Sequence, residues 1–419
     1  MNRSIANIFA LIALAACSEN ASNAPPGGDA DGGNADAHGG HGDARPDSGA
    51  DSYGPWEDPP AYYARFPRGL PSDPSFFPIA VWLQNPDQAA NYAAIGVNHF
   101  VGLWEGPTDA QLTKLAKVPM PVLCDQNGVG LAHVNDPTVH GWLHDDEPDN
   151  AQPDGRGGYG PCIAPETIVQ RYEGFRKADP THPVFLNLGQ GVASPTWVGR
   201  GSCSGHDEHY PKYAEGADIV SFDVYPVNSY DGDLGLVARG VDRLRAWAKY
   251  KKPVWNWIET TGYNEPKGRP TPAQIKAEVW MSIVHGSMGI GYFVHILKPN
   301  VNERGLLDDP ENKAAVSAIN AQIRALAPVL NTPPVIRALD VVSSDTKVPV
   351  DTLMKRHGGA TYVFAVAMKN AKTTATFTVR GVAPSAKAEV LGENRTISLA
   401  NGVFQDAFDG YGVHLYKVQ

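Results

Sequence analysis

VHGWLHDDEPD (139–149) decides the fold: a short apolar strand pattern runs straight into three acids and a proline. PVWNWIETT (253–261) repeats the device, an apolar run ending on Glu259, 112 residues after Glu147. In an eightfold (β/α) barrel the strand ends and the loops that follow them share one mouth, so acids at two strand ends converge over a single space.

Six more apolar runs complete the count: FFPIAVWLQ (76–84), VNHFVGLW (97–104), MPVLCDQ (120–126), VFLNLGQ (184–190), DIVSFDVYP (218–226) and IGYFVHI (290–296). Helix-like segments alternate with them, among them PETIVQRYEGFRKADP and LVARGVDRLRAWAKYKK, the second with Val237, Val241, Leu244 and Ala248 at helical spacing. ENKAAVSAINAQIRALAP closes the series near residue 328. No Gly-rich dinucleotide fingerprint follows the first run, so a closed (β/α)8 TIM barrel over 56–330 is favoured above an open doubly wound sheet.

Side chains alternate along a strand, which assigns their directions. In the sixth run Val220, Phe222 and Val224 belong to the helix side, and Ser221, Asp223 and Tyr225 to the interior. The same period groups Gly141, Leu143, Asp145 and Glu147 inward in the fourth run, and Trp255, Trp257 and Glu259 in the seventh, with Asn256 toward the helices. Asp146 reaches the cleft if the strand end bends.

After residue 334 the period changes to strict alternation, as in Tyr362, Phe364, Val366 and Met368, which gives a small all-β sandwich over 334–419. At the other end, MNRSIANIFALIALAACSEN carries one early arginine and an apolar stretch too short for a mature membrane span. Residues 17–55 are almost free of large apolar side chains and read as a disordered Gly/Asp/Ala-rich tether, with an r.m.s. reach of roughly 30–40 Å if it behaves as a Gly-rich coil.

The 419 residues are 42% hydrophobic with a net charge of −10, which speaks against a phosphate-tracking surface and a nucleic-acid partner. Cys162 and Cys203 fall in Gly-rich loops after adjacent strands and are expected to pair; Cys124 is expected to be buried and free. Trp104 and Trp197, in loops on the mouth side, are either sugar-stacking rings or loop packing. Asp223 and Asn187 are either substrate contacts or satisfied interior polar groups.

The stretch 76–328 resembles the retaining glycoside hydrolases of clan A. In that clan the acid/base glutamate ends strand four, typically within Asn-Glu-Pro, and the nucleophile ends strand seven. The resemblance implies Glu147, in Asp146-Glu147-Pro148, as acid/base and Glu259, in WIET, as nucleophile. It implies Tyr225, in DVYP, as a contact of the nucleophile, and gives Phe293 and His295 no clear counterpart. Asp146 departs from the clan asparagine that donates toward the sugar 2-hydroxyl. The ending FQDAFDGYGVHLYKV resembles the last strands of the β-sandwich packed on such barrels, through Phe404, Asp406, Phe408, Tyr411, Val413, His414 and Tyr416. Leu14-Ala15-Ala16-Cys17 resembles a bacterial lipobox, implying a signal peptide over 1–16, acylation at Cys17 and an outer-membrane location.

Together these imply an exported, lipid-anchored retaining hydrolase of β-glycosidic bonds in a polysaccharide or oligosaccharide, with no cofactor or metal. The chemistry needs one ionised carboxylate to attack the anomeric carbon and one protonated carboxyl to protonate the leaving oxygen. Two other readings stay open. Asp145, Asp146, Glu147 and Asp223, with His144 and His295, suit a metal-dependent phosphodiesterase-like hydrolase; the Asp146 departure suits a non-catalytic carbohydrate-binding lipoprotein.

Overall fold

In a computed structural model of the chain, residues 52–53, 55–194, 205–264 and 268–419 are described. The signal segment, Cys17, most of the tether, Trp197 and Cys203 lie outside them.

Eight parallel strands close into a barrel: β1 (Ile79–Trp82), β2 (His99–Val101), β3 (Val122–Cys124), β4 (Val139–Leu143), β5 (Val184–Leu188), β6 (Ile219–Asp223), β7 (Val254–Glu259) and β8 (Ile290–Phe293). Closure comes from Ala80 lying opposite Gly291 between β1 and β8. The alternation reads out as expected on β6: Val220, Phe222 and Val224 join the layer between strands and helices, while Ile219 and Tyr225 belong to the interior cluster. Trp82, Phe185, Trp255 and Trp257 fill the interior, Trp82 and Trp257 meeting edge to face at 5.0 Å. Gly291 makes room for them, since a Cβ there would stand 2.2 Å from the Trp257 ring.

The helices facing this barrel are α1 (Pro59–Tyr63), α2 (Ala89–Ala94), α3 (Asp109–Ala116), α4 (Gly128–Ala132), α5 (Pro165–Ala178), α6 (Tyr210–Glu215), α7 (Pro226–Ser229), α8 (Gly235–Trp247), α9 (Pro272–Val284) and α10 (Pro310–Leu330). Their starts are encoded locally. Thr271 and Gln274 form a reciprocal capping box with Pro272 in the first turn of α9, and the Asp309 carboxylate accepts from the Glu311 and Asn312 N–H groups to open α10. On α8, Val237, Val241 and Leu244 are buried as their spacing predicts.

The chain then builds β9 (Val335–Ile336), which pairs with Ser52–Tyr53, and two antiparallel sheets. One holds β10 (Leu339–Ser343), β13 (Thr373–Val379) and β16 (Val403–Phe408); the other holds β11 (Val350–His357), β12 (Ala360–Ala367), β14 (Lys387–Val390), β15 (Arg395–Ser398) and β17 (Val413–Val418). Between them lies a core in which Phe377 and Phe404 stack at 4.6 Å. Tyr416 closes it, donating its hydroxyl to Asp406, which also pairs with Arg395. The outer face of the larger sheet lies on α9, where Trp280 meets Phe364 at 5.3 Å.

Candidate active site

At the end of β4 the backbone turns sharply. Glu147 sits at φ 42°, in the left-handed region that a residue with a Cβ enters at a cost of about 1–2 kcal/mol. Its N–H donates to the Asn187 carbonyl, tying the turn to the end of β5. The side chain is buried to 6% exposure, and Asn150 Nδ2 donates to its Oε2 at 2.9 Å, fixing the carboxyl plane.

That turn corrects one expectation. Asp145 does not join Glu147: it is exposed and pairs with Arg171, while its N–H donates to His144 Nδ1. Burial works to raise its carboxyl, but His144 and the Arg171 guanidinium hold it below the ordinary range. His144 in turn faces α5, 3.2 Å from the Ile168 carbonyl. The positive-φ turn inserts an extra change of direction, so the strict alternation read from the sequence fails after Leu143.

Asn187 organises the remaining acids. Its Nδ2 donates at 3.0 Å to both Asp146 Oδ1 and Asp223 Oδ1, and its Oδ1 accepts from Ser221, which accepts from Trp257 Nε1. Asp223 is buried at the end of β6; burial first, then the charges of Glu147 and Asp146, raise its carboxyl well above the ordinary value. Asp149, which the sequence reading missed, lies behind Glu147, accepting from the Gly189 N–H and the Tyr210 hydroxyl. Burial and Glu147 push it up to about 7. Its position one residue past Pro148 was a signal only in retrospect, because spacing does not reveal which acid of a run turns inward.

Glu259 ends β7 fully buried. Oε1 accepts from the Val227 N–H at 2.5 Å, and Oε2 accepts from the Asn228 N–H at 3.1 Å and from Asn228 Nδ2. The donors expected from Tyr225 are thus supplied instead by the first turn of α7 and by Asn228. Tyr225 serves as a wall, packed against Tyr263 at 5.2 Å and Phe293 at 5.1 Å. Burial raises the Glu259 carboxyl while Asn228, Val227 and Glu278 of α9 work against it, and it settles at about 7.

Two residues past the end of β8, His295 is buried, with Nε2 3.3 Å from Gln84 Nε2 and 3.2 Å from the Leu83 carbonyl. Burial pushes its imidazole down to about 4, so it is neutral at working pH. Trp104 stands over it at 6.2 Å and donates from Nε1 to Glu303 Oε2. Trp104 and His295 therefore form one wall, continued through Phe293 to Tyr225.

The metal-ligand reading of Asp145, Asp146, Glu147 and Asp223 does not match this geometry. Asp145 is spent on Arg171, and among the described residues the one group of three metal-capable side chains with ligand atoms within 4.8 Å is His206, Glu208 and His209. Cys124 is buried and free, and Cys162 is disulfide-bonded. No helix among the described residues is long and apolar enough to cross a membrane.

No protein-family model and no curated protein matches this chain. Among solved structures it is similar to an α-amylase from Geobacillus thermoleovorans complexed with acarbose, at 11% identity and a TM-score of 0.51, covering 82% of this chain and 98% of that one. AmyP in complex with maltose is similar at 10% identity and a TM-score of 0.51, covering 85% of this chain and 97% of that one. At such identity the likeness is one of architecture: the chain is a (β/α)8 barrel followed by an all-β domain.

Proposed function

We propose that the protein is a retaining glycoside hydrolase acting on β-glycosidic bonds of an oligosaccharide or polysaccharide, with Glu147 as acid/base and Glu259 as nucleophile. The observation that carries it is the placement of two buried, differently partnered glutamates at the ends of β4 and β7 around one barrel mouth. Glu147 stands in the left-handed turn after β4 with Asn150 Nδ2 fixing its carboxyl plane, which suits proton delivery to a leaving oxygen. Glu259 has three donors, two from a helix start, which suit a carboxylate that must attack in ionised form. Asn187 holds Asp146 where its carboxylate would accept from a sugar hydroxyl, and Trp104 offers a stacking face. The enclosing fold, shared with proteins solved bound to maltose and to acarbose, supports a carbohydrate ligand. The lipobox-like Leu14-Ala15-Ala16-Cys17 supports an outer-membrane location as part of the same proposal.

One observation favours a second assignment within this class: Glu259 is sealed from solvent, while Asp223 feels the Glu147 charge directly. An acid pair of Glu147 and Asp223 would then perform the chemistry.

Hydrolysis of a panel of aryl β-glycosides and polysaccharides by the wild type, E147A, E259A and D223N separates these. Loss of turnover in E147A and E259A, with D223N retaining most of it and chelator without effect, is the expected result. Turnover surviving in E259A but lost in D223N would replace the nucleophile. Saccharide binding without any turnover would leave a binding protein.

A further inference from the structure

α9 carries one acid in a mostly apolar run, Glu278 within IKAEVWMSIV (275–284). The side chain is completely buried, and neither of its oxygens meets a hydrogen-bond donor. The group it faces is the Glu259 carboxyl: α9 packs on β7, where Asn256 Nδ2 donates to Ser282 Oγ one turn beyond Glu278, and each of the two carboxyls perturbs the other. Two carboxylates are both acceptors and repel one another, so this contact is stable only with a proton between them. The surroundings fix where that proton resides. Glu259 already accepts from two backbone N–H groups and one amide, all of which favour its ionised form, whereas Glu278 has none.

We infer that Glu278 is held as a neutral carboxylic acid in the helix layer and donates its O–H to the Glu259 carboxylate from behind, as a positioning residue for that group. The inference rests on Glu259 being the nucleophile for its catalytic meaning, and on the buried contact alone for the proton. Burial and the Glu259 charge both favour the protonated form of Glu278, and this direction agrees with the geometry. Nearby charged groups are otherwise engaged. On α8, Arg245 pairs with Glu57 and Asp242 with His285; His285 also reaches Asp351 on β11, and Lys276 of α9 donates to the Val413 carbonyl. On α10, Asn312 is spent on the Thr260 and Pro270 carbonyls. Tyr411, in the loop before β17, is the phenol nearest this group, and its hydroxyl donates to the Gly232 carbonyl.

The arrangement gives Glu259 a fourth donor on the side away from substrate. One hydrogen bond to a charged group is worth about one pKa unit or slightly more. Losing it should move the acidic limb of kcat/KM upward by about one unit and cut activity at neutral pH roughly tenfold, with activity recovering at higher pH as Glu259 ionises.

The test uses purified wild-type protein with E278Q and E278L. Infrared difference spectra of wild type against E278Q, taken at pH 8, should show a carboxylic-acid C=O band in the wild type that E278Q lacks. The pH–rate profiles should show E278Q, which keeps a neutral donor, near wild type, and E278L with its acidic limb displaced upward. Far-ultraviolet circular dichroism of E278L guards against simple misfolding, and E278Q keeps the comparison open should E278L not fold. Absence of the acid band at pH 8 overturns the inference, as does an E278Q acidic limb displaced as far as that of E278L. If the wild type hydrolyses no sugar, the glycosidase reading fails by itself, while the infrared band still decides whether Glu278 holds the proton.

Discussion

Replacing Glu259 by glutamine should change how the fold's stability depends on pH, whether or not the substrate is known. Three donors pull the Glu259 carboxyl down and burial pushes it up; burial wins, and the group lies at about 7 against an ordinary 4.5. A folded-state pKa above the unfolded one means that the native state binds the extra proton. Its stabilising contribution is full below pH 4.5 and is lost as pH rises through about 7. The difference corresponds to on the order of 3 kcal/mol between those limits. Glutamine cannot ionise, so E259Q lacks this slope. Its amide also turns an N–H toward one of the donors of α7 and thereby costs stability, but that offset is the same at every pH. Urea unfolding of both proteins at half-unit steps from pH 4.5 to 8 gives the comparison. The wild type should lose stability relative to E259Q by roughly 2–3 kcal/mol across that window. Parallel curves, or a wild type that gains on E259Q as pH rises, would show that the donors dominate burial and that the reasoning about this carboxyl is wrong.

Asn187→Ala removes the amide shared by Asp146 and Asp223 and leaves Ser221 only its longer contact to the Leu186 carbonyl; it should destabilise the fold by about 2–4 kcal/mol in denaturant titration and lower kcat/KM more than tenfold. Trp104→Ala should raise KM roughly tenfold with a smaller effect on kcat, as expected for lost ring stacking that acts equally in ground and transition states. Glu147→Gln should depress hydrolysis of substrates with poor leaving groups far more than that of activated aryl glycosides, measured as the slope of log kcat/KM against leaving-group pKa.

The barrel was legible because period and burial agree along most of it. On β6 and on the first part of β7 every inward and outward residue lies where alternation puts it, with Asn256 turned out to Ser282 of α9 as read. Legibility stops where a backbone leaves the strand. The turn at Glu147 sends Asp145 out to Arg171, and nothing in the composition of HDDEPD distinguishes the two aspartates. The partners of Glu259 were missed for a related reason: two of its three donors are backbone N–H groups, which sequence does not label, and the third, Asn228, belongs to a four-residue helix after Tyr225. Glu278 did carry a signal. An acid amid Ile275, Val279, Trp280 and Ile283 in a buried helix is costly unless neutral or paired, and weighing that cost would have singled it out.

The β-domain gains a role from the same helix. Trp280, two residues beyond Glu278, packs on Phe364 of β12, and Lys276, two before it, donates to the Val413 carbonyl at the start of β17. The segment of α9 that presents Glu278 is therefore gripped from the side opposite the barrel. Tyr411, in the loop before β17, reaches across to the Gly232 carbonyl, in the segment that follows α7, whose first turn supplies the N–H donors of Glu259. Both sources of hydrogen bonds to Glu259, the α7 turn and the α9 acid, thus lie in segments the larger sheet or its loop touches directly. A buried carboxyl shared between a strand and a helix needs that helix fixed to within a fraction of a hydrogen-bond length, and packing against a second domain supplies such fixity where a solvent-facing helix would not. The sandwich acts here as the outer support of the wall that carries Glu259, which gives the apolar contact between the two domains a physical reason beyond stability alone.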